Sequence, residues 1–591
     1  MTLQKTKVTD NQSPAPGRAG LTGRGMIAGL LTAAVAVAVG QLAAAIIRPQ
    51  GSPVAAVGSL AIDFTPPQVK DFAITAFGTH DKLVLVSGIL VLLACYAAWL
   101  GTRAVRRFSS GVAGIALFAV VGLLSALTRP GASPLDALPT LLGAAAAILA
   151  LHRLVLAAHA AAPPAPAPQA TAVPETTPVP QATPTPEATP VPQATPVPQS
   201  PAPGTGTGPV PPPASPSPFT GPPLGPGYRP EPPVPAPDRR RFLVTGSAVA
   251  GAAVVAGLIS RELTADHSVD QVRSALRVPR PTRPAPPLPP GTDFRLPGLS
   301  PFVTPNDKFY RVDEALVLPQ VPPSAWHLRI HGMVQKEIRI SFRDLLKRPL
   351  IEDWITLCCV SNPVGGPYIG NAKWLGASLA GLLREAGIRH GADQIVATSA
   401  DGFTSGTPVQ AVMDGRDALL AIAMNGSPLP VEHGFPARMV VPGLYGYVSA
   451  CKWVTDIQVT TFAENHAYWT TRGWDQQAPV KTESRIDIPT GEAPVRPGRV
   501  PVAGVAWAQH KGIEAVEVRV DDGPWQEAKL AAVPGIDTWR QWVLEWDATA
   551  GSHLIQARAT DKTGYTQTGQ QAPPPPNGAS GYPEVSVTVT G

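Results

Sequence analysis

The feature that most restricts the fold of this chain is a proline-rich stretch at residues 163–237, which divides the sequence into two parts. The chain has 71 prolines, concentrated in this stretch, which repeats variants of Thr-Pro-Val-Pro-Gln-Ala and has almost no bulky apolar residues. Such a sequence cannot bury enough apolar surface to offset the entropy lost on ordering. We therefore predict that residues 161–237 form an extended, disordered linker rich in polyproline II.

Long apolar segments lie on both sides of this linker. They cover residues 26–47, 82–100, 112–127 and 138–158 before it and residues 242–259 after it. A helix needs about 20 apolar residues to cross a bilayer, and only the third segment is close to the lower limit. We predict a cytoplasmic tail over residues 1–25, four transmembrane helices in residues 26–160, and a fifth in residues 238–261. A buried core helix is the alternative for the fifth segment.

Basic residues orient these segments. They precede the first span, follow the second and precede the fifth, at Lys5, Lys7, Arg18, Arg24, Arg103, Arg106, Arg107, Arg239, Arg240 and Arg241. The positive-inside rule therefore places the N-terminus in the cytoplasm and everything after about residue 261 outside the cell membrane. The run Asp-Arg-Arg-Arg-Phe-Leu at residues 238–243 also resembles a twin-arginine export signal. An ordinary basic flank of a membrane anchor is the alternative.

The region after residue 261 changes to a globular pattern. After a linker at residues 262–295, residues 296–490 mix predicted strands with short helices, one capped by Ser341 and one between Ser378 and Gly387. This pattern predicts an α+β domain. Residues 491–591 alternate apolar and polar residues between turns, which predicts a β-sandwich, immunoglobulin-like in its strand spacing. Its tryptophans are interpreted as packing residues. The fold class is therefore multi-domain.

Two segments of the α+β domain carry chemistry. The first is Thr-Leu-Cys-Cys-Val-Ser-Asn, with adjacent Cys358 and Cys359; the second holds His433, Arg438 and Lys452 among glycines and prolines. A thiolate suits a soft or high-valent metal, and clustered cations suit a phosphate-bearing anion. Together they favour a metal carried on an organic phosphate. A zinc site is disfavoured, because adjacent cysteines do not fit the usual ligand spacing.

Residues 304–591 resemble the sulfite oxidase family, which joins an α+β molybdopterin domain to a β-sandwich dimerisation domain. The resemblance lies in TPNDKFYRVDEA, TLCCVSN, IGNAKWLGASLAGLLREAG and NGSPLPVEHGFPARMVVPG. It implies a molybdenum–molybdopterin cofactor, with Cys359 as metal ligand and Cys359 and Arg311 as catalytic residues. The residues that it places at the pterin are Phe309, Tyr310, Arg311, Asp401, His433, Arg438, Ala450 and Lys452.

Departures from the family pattern bear on the substrate. Residues 363–366 are Pro-Val-Gly-Gly where sulfite oxidases have arginines, Val312-Asp313 replaces Asn-His, and Trp474 lies near the position of the active-site tyrosine. A pocket with fewer cations and an added carboxylate suits sulfite poorly. We expect oxygen-atom transfer on another small molecule. An S-oxide, N-oxide or nitrate-type reductase and a non-catalytic surface binding protein are the alternatives.

The electron-transfer partner is left open by the sequence. The chain has no Cys-x-x-Cys-His motif, and His80, His152 and His159 lie towards opposite membrane faces, so we expect no haem. A separate redox partner or a quinone at the membrane is then needed. The C-terminal resemblance implies a possible homodimer. The small net charge of +5 with no basic stripe argues against nucleic acid.

Overall fold

The computed structural model of the chain describes residues 16–47, 51–65, 81–128, 132–160, 239–266, 269–315, 317–492 and 494–590. The predicted disordered linker at residues 161–237 lies outside these ranges, as do residue 238 and most of the predicted cytoplasmic tail.

Helices make up the described part before residue 267. They are α1 (Pro16–Ile47), α2 (Pro53–Phe64), α3 (Asp81–Ala104), α4 (Phe108–Leu127), α5 (Leu138–Ala160) and α6 (Arg239–Asp266). Five of these described helices, all but α2, are long and apolar enough to cross a membrane, which agrees in number with the predicted spans. The short apolar helix α2 was not predicted.

Small residues allow the first and third helices to approach closely. A Cβ atom on Gly29 of α1 would overlap the carbonyl oxygen of Ala97 in α3, and one on Gly101 would overlap the carbonyl oxygen of Gly25. Close backbone approach through glycine is a common way for helices to associate in lipid, where burial of apolar side chains adds no hydrophobic driving force.

Two sheets build the predicted α+β domain. The strands are β1 (His327–Gly332), β2 (Ile338–Ser341), β3 (Leu350–Cys358), β4 (Ile369–Ser378), β5 (Gln394–Ser399), β6 (Thr404–Pro408), β7 (Leu419–Met424), β8 (Ser427–Pro428), β9 (Arg438–Val440) and β10 (Val454–Thr460). One sheet has the order β2-β1-β10-β5-β6, in which only β1 and β10 are parallel. The other has the order β3-β4-β7-β8, with β9 paired to β7.

Short helices precede or connect these strands. They are α7 (Asp270–Ala275), α8 (Phe342–Leu346), α9 (Leu379–Ala386), α10 (Val409–Met413) and α11 (Gly446–Ser449). The predicted caps are confirmed: Ser341 forms a capping box with Asp344, and the Ser378 hydroxyl accepts from the Gly381 amide. Gly387 ends α9 with φ of 70°, a conformation that glycine adopts without steric cost.

The C-terminal region contains two four-stranded antiparallel sheets. Their strands are β11 (Glu483–Ile488), β12 (Gly498–Trp507), β13 (Ile513–Val520), β14 (Gln526–Glu527), β15 (Lys529–Leu530), β16 (Arg540–Ala548), β17 (Gly551–Asp561) and β18 (Glu584–Val589). The sheet orders are β11-β12-β16-β15 and β14-β13-β17-β18, and Val502, Trp542 and Ile555 lie in the core that they share.

The two β-rich regions also share a core with each other. Trp507 and Trp539 of the C-terminal region are buried in the same cluster as Leu328 and Leu420 of the α+β domain. The main-chain amide of Trp539 donates to the hydroxyl of Thr356 in β3 at 2.7 Å. Since Thr356 is three residues before Cys359, the C-terminal region supports the strand that leads into the cysteine pair.

Residues 269–300 run over both β-rich regions after the fifth apolar helix. Val269 is buried beside Phe309 in a core cluster, and its amide donates to Gln320 Oε1 at 3.1 Å. Further along, Gln541 of β16 donates to Asp293 Oδ1 at 3.2 Å. The contacts of Val269 hold the start of this segment against residues 309–320.

Candidate active site

Strand β3 delivers the cysteine pair to a loop closed by an asparagine. The amide of Cys359 donates to the Tyr368 carbonyl at 2.9 Å, and the Tyr368 amide donates to Asn362 Oδ1 at 2.8 Å. Cys358 is fully buried, whereas Cys359 is half-buried. Successive residues of an extended chain point to opposite sides. Of these two thiols, that of Cys359 is therefore the more accessible to a ligand.

Neighbouring groups act on this thiol in opposite directions. Burial raises the pKa of Cys359, and a carboxylate at Glu314 raises it further. The hydroxyl of Ser361, 2.9 Å from the sulfur, and the charge of Lys452 lower it. A metal coordinated by the thiol would remove the proton outright.

A carboxylate links two of the predicted cofactor contacts. Arg311 Nε lies 2.9 Å and Lys452 Nζ lies 3.1 Å from the same oxygen of Asp313, whose side chain is only 4% exposed. Burial lowers the pKa of Lys452 to about 8, although Asp313 opposes this shift. One buried carboxylate thus neutralises part of the positive charge that the sequence assigned to the site.

His433 ends a 3-10 turn, Val431–His433, and is almost fully buried. Burial, with Arg438 and Lys452 nearby, lowers the pKa of His433 to about 3, so the ring is neutral at physiological pH. Its Nε2 lies 3.2 Å from the carbonyl oxygen of Asn306. A carbonyl can only accept, so Nε2 carries the proton and Nδ1 is an acceptor.

Arg438 is a buried cation, 4% exposed. It donates to the main-chain carbonyls of Met439, His433 and Ala450 at 3.4, 3.1 and 3.2 Å, and its guanidinium lies 5.1 Å from the ring of Trp374. Burial lowers the pKa of Arg438 to about 10. Within the described part of the chain no carboxylate forms an ion pair with it. A buried cation without a carboxylate is costly unless an anion compensates it.

The remaining residues predicted to contact the pterin are Phe309, Tyr310, Ala450 and Asp401. Phe309 packs edge to face on His433 with ring centroids 5.5 Å apart and stacks on Tyr310 at 5.2 Å. The Ala450 carbonyl accepts from Arg438. Asp401 lies at the β5–β6 turn, where its carboxylate accepts from the Phe403 amide at 3.1 Å. Hydrogen bonds or ring contacts thus link one group of residues, Phe309, Tyr310, His433, Arg438 and Ala450. The carboxylate of Asp313 links Arg311 to Lys452 through two ion pairs. Asp401 shapes a neighbouring turn.

Sequence reasoning missed several residues of this region. Asn306, Ser361, Asn362, Glu314 and Trp374 each contact or act electrostatically on a predicted site residue. The first four lie within the matched stretches at residues 304–315 and 356–362, so their position was a usable signal. Trp374 lies within the matched stretch at residues 369–387, so its position was a usable signal too, but its contact with Arg438 depends on the pairing of β4 with β7 and of β7 with β9.

Trp474, one of the residues that depart from the family pattern, packs among other aromatic side chains. Trp474 packs against Trp469 and Tyr447 with ring centroids 5.9 and 6.0 Å apart. The Tyr447 hydroxyl donates to the Asp475 carbonyl at 2.5 Å. Trp474 therefore belongs to an aromatic cluster and brings no hydroxyl group to this position.

Known proteins resemble this part of the chain. Residues 315–469 match the family described as oxidoreductase molybdopterin binding domain. Sulfite oxidase of Gallus gallus is 32% identical over 323 residues, covering 46% of this chain and 69% of that protein. Mitochondrial sulfite oxidase of Mus musculus is 31% identical over 293 residues, covering 41% of this chain and 53% of that protein. The chain thus spans about half the length of the mammalian relatives.

Two further proteins resemble it. An uncharacterized oxidoreductase of Bacillus subtilis, YuiH, is 34% identical over 150 residues, covering 25% of this chain and 72% of that protein. Among solved structures, the sulfane dehydrogenase SoxCD from Paracoccus pantotrophus is 24% identical, with a TM-score of 0.43, and the match covers 49% of this chain and 84% of that one.

The matched domain and its relatives define a molybdopterin-dependent oxidoreductase, whose cofactor is the molybdenum cofactor. The chain belongs to the sulfite oxidase family.

The described residues suit this cofactor. Cys359 provides an accessible thiol, and the buried Arg438 carries a positive charge that no described carboxylate balances. An anionic group beside Arg438 would offset the cost of burying that charge.

Proposed function

We propose that this protein is a membrane-anchored enzyme whose catalytic domain faces the outside of the cell membrane and transfers an oxygen atom to or from a small molecule other than sulfite. The observation that carries the proposal is the half-buried Cys359 thiol, on which the charge of Lys452 acts, together with Arg311, which shares a carboxylate with Lys452, and the buried cation Arg438. When bound, the cofactor supplies a molybdenum atom that exchanges one oxygen atom and two electrons with the substrate.

The proposed roles follow from the contacts. Cys359 binds the metal, and Ser361 and Asn362 hold its loop. Neutral His433 offers Nδ1 as an acceptor, because its Nε2 proton is used by Asn306. The phosphate and pterin are bound by cations and aromatic groups, namely Arg311, Lys452, Arg438, Phe309 and Tyr310, with Ala450 and Asp401 shaping the neighbouring backbone.

The charges around the thiol support an uncharged substrate. Asp313 neutralises part of the charge of Arg311 and Lys452. Glu314 acts directly on Cys359, and its carboxylate accepts from the Tyr468 hydroxyl at 3.4 Å. Asp313 thus weakens the attraction of these cations for an oxyanion such as sulfite, and the charge of Glu314 opposes it further. Reduction of a neutral S-oxide or N-oxide is therefore the second candidate function.

The apolar helices support the membrane location. Five helices are long and apolar enough to cross a bilayer, and the last, α6, continues into the α+β domain through Val269. With the positive-inside rule, this connection supports a catalytic domain outside the membrane. The arginine run at residues 239–241 would serve twin-arginine export, and the immunoglobulin-like C-terminal sandwich would serve dimerisation.

Metal analysis of the full chain, made in cells that synthesise molybdopterin, tests the proposal. We expect near-stoichiometric molybdenum in the parent protein. Cys359→Ser should lose molybdenum or change its absorption spectrum, because a hydroxyl is a poor replacement for a thiolate.

Cys95→Ser is the matched control, since Cys95 lies exposed in α3. Folded parent protein without molybdenum, or Cys359→Ser with unchanged content and spectrum, would contradict the proposed site. A panel of sulfite, S-oxides, N-oxides and nitrate then identifies the substrate class.

A further inference from the structure

A groove among the apolar helices reaches the catalytic domain. It has a volume of about 580 Å³ and lies between α1, α3 and α6. Its wall is formed mainly by small or aliphatic side chains such as Ala34, Ala38, Leu93 and Ala94. Ligand pockets of this size are ordinary in proteins. The groove therefore accommodates a long apolar chain.

Polar groups line the same groove. Gln41, near the end of α1, and Arg261, near the end of α6, both contribute to it, with Ser52 from the turn after α1. The Ser52 hydroxyl donates to Gln41 Oε1 at 2.6 Å. In the described ranges no acceptor is hydrogen-bonded to the Gln41 carboxamide nitrogen. This end offers N–H donors to a ligand headgroup that has oxygen acceptors.

One residue of the catalytic domain also lines this groove. Val317 lines the groove and is 49% exposed. It follows Arg311 by six residues, so the two Cα atoms are at most about 22 Å apart. The burial of Val269 beside Phe309 and Leu318 holds the chain after α6 against the same segment. One short segment thus joins the groove to the active site.

The chemistry of the active site requires a carrier of two electrons. Reduction of an S-oxide or N-oxide consumes two electrons and two protons and releases water. Oxidation of a quinol to a quinone releases two electrons and two protons. One quinol and one sulfoxide therefore give one quinone, one sulfide and one water. A quinone has two carbonyl oxygens that accept hydrogen bonds and an isoprenoid tail that is apolar.

We propose that the groove between α1, α3 and α6 binds an isoprenoid quinol, with its ring near Gln41 and Arg261 and its tail along the alanine-lined wall. The quinol supplies the electrons and protons for reduction at molybdenum; in the opposite direction the quinone accepts them. This assignment rests on the proposed membrane-anchored function, and it gives the apolar helices a role beyond anchoring.

The test uses the molybdenum-loaded full chain in phosphatidylcholine nanodiscs without oxygen. Decylubiquinol is added, and the quinone formed per molybdenum and the loss of the thiolate-to-molybdenum absorption are followed. We expect quinone formation stoichiometric with molybdenum in the parent protein. Ala38→Trp, which fills the groove, and Gln41→Leu, which removes the donor, should each slow the reaction at least about tenfold.

Two controls distinguish the loss of the quinol site from the loss of a reducible molybdenum centre. Leu92→Trp places the same indole on α3 at a position 72% exposed and outside the groove, and it should react like the parent. Reduced methyl viologen should reduce the centre in all of these variants. A centre that viologen reduces and decylubiquinol does not, or equal quinol rates in Ala38→Trp and Leu92→Trp, would overturn the quinol site. A chain without molybdenum would overturn the proposed function itself.

Discussion

At the scale of single residues, the site combines a thiol with cations that are only partly compensated. Arg311 and Lys452 share the carboxylate of Asp313, Arg438 has main-chain partners, and His433 is neutral. This arrangement lets an anionic cofactor supply much of the missing negative charge. The charge of Glu314 also acts on the Cys359 thiol.

Glu314→Gln should change the preference between charged and neutral substrates. Removing the carboxylate lowers repulsion of an oxyanion, so we expect kcat/KM for sulfite relative to dimethyl sulfoxide to rise about tenfold, equivalent to about 1.4 kcal/mol. The measurement is kcat/KM for sulfite with ferricyanide and for dimethyl sulfoxide with reduced viologen. Glu337→Gln, in an exposed ion pair at the β1–β2 hairpin, is the control. An unchanged ratio would remove Glu314 from the determinants of specificity.

Glu483 should make stability depend on pH. Burial raises the pKa of Glu483 to about 8, although Lys481 lowers it. The unfolded chain binds fewer protons than the folded chain between the ordinary pKa and about 8, so stability falls as pH rises through this window. The loss is roughly 1.4 kcal/mol per pH unit. Glu483→Gln cannot ionise and should show a smaller decrease in melting temperature between pH 5 and 8.

Lys481→Gln is the complementary variant for this effect. Because Lys481 lowers the pKa of Glu483, its removal should extend the decrease in melting temperature to higher pH. Parallel melting curves for the parent protein and Glu483→Gln across this range would show that Glu483 is not the titrating group.

At the scale of elements, the turn after the 3-10 turn Val431–His433 brings three of the proposed cofactor contacts together. Gly434 has φ of 105°, and a Cβ there would lie 3.0 Å from the Cβ of Arg438 and 3.1 Å from that of Lys452. Strand β9 and the residues after α11 therefore meet around a position that admits only a hydrogen atom. The geometry of the site depends on this close approach.

Gly434→Ala should reduce cofactor content. The added methyl group displaces His433, Arg438 or Lys452, and the positive φ adds strain of roughly 1–2 kcal/mol. Gly415→Ala is a matched control, since Gly415 has φ of 104° and no atom within 4 Å of its virtual Cβ. Molybdenum per protein should fall well below the parent value in Gly434→Ala and remain unchanged in Gly415→Ala. Equal contents would show that crowding at this turn is tolerated.

At the scale of the whole molecule, the C-terminal sheets and the α+β domain pack as one unit. Trp539 is buried in the larger core, and its indole donates to the Phe302 carbonyl at 2.9 Å. Gln509 donates to the Thr356 carbonyl at 3.1 Å, close to the cysteine loop. These contacts cross between the regions that the sequence divided near residue 491.

Trp539→Ala should therefore destabilise both regions together. A buried tryptophan truncated to alanine costs about 3–5 kcal/mol. We expect one calorimetric transition for the β-rich part of the chain, shifted to lower temperature together with cofactor release. Trp525→Ala is the control, because Trp525 lies on the surface of the second sheet between Arg558 and Tyr582. Two separate transitions, with only one displaced, would show that the regions fold independently.

The sequence by itself determined the features that depend on local composition and spacing. Apolar length determined the five long helices, alternation determined the C-terminal strands, and Ser341, Ser378 and Gly387 marked helix ends. These properties depend on neighbours in the chain. The cysteine loop, the cation-bearing segment and their resemblance to the sulfite oxidase family likewise identified the cofactor, because each motif is a short run of neighbouring residues.

Only the tertiary structure decided which charged groups of the site have an ion-pair partner and which cavity the helices enclose. The ion pair of Lys452 with Asp313 and the contact of Arg438 with Trp374 join residues distant in sequence. The groove beneath Val317 needs three helices from both sides of the proline-rich linker. Charge compensation and cavities depend on distances in space, which composition and periodicity do not specify.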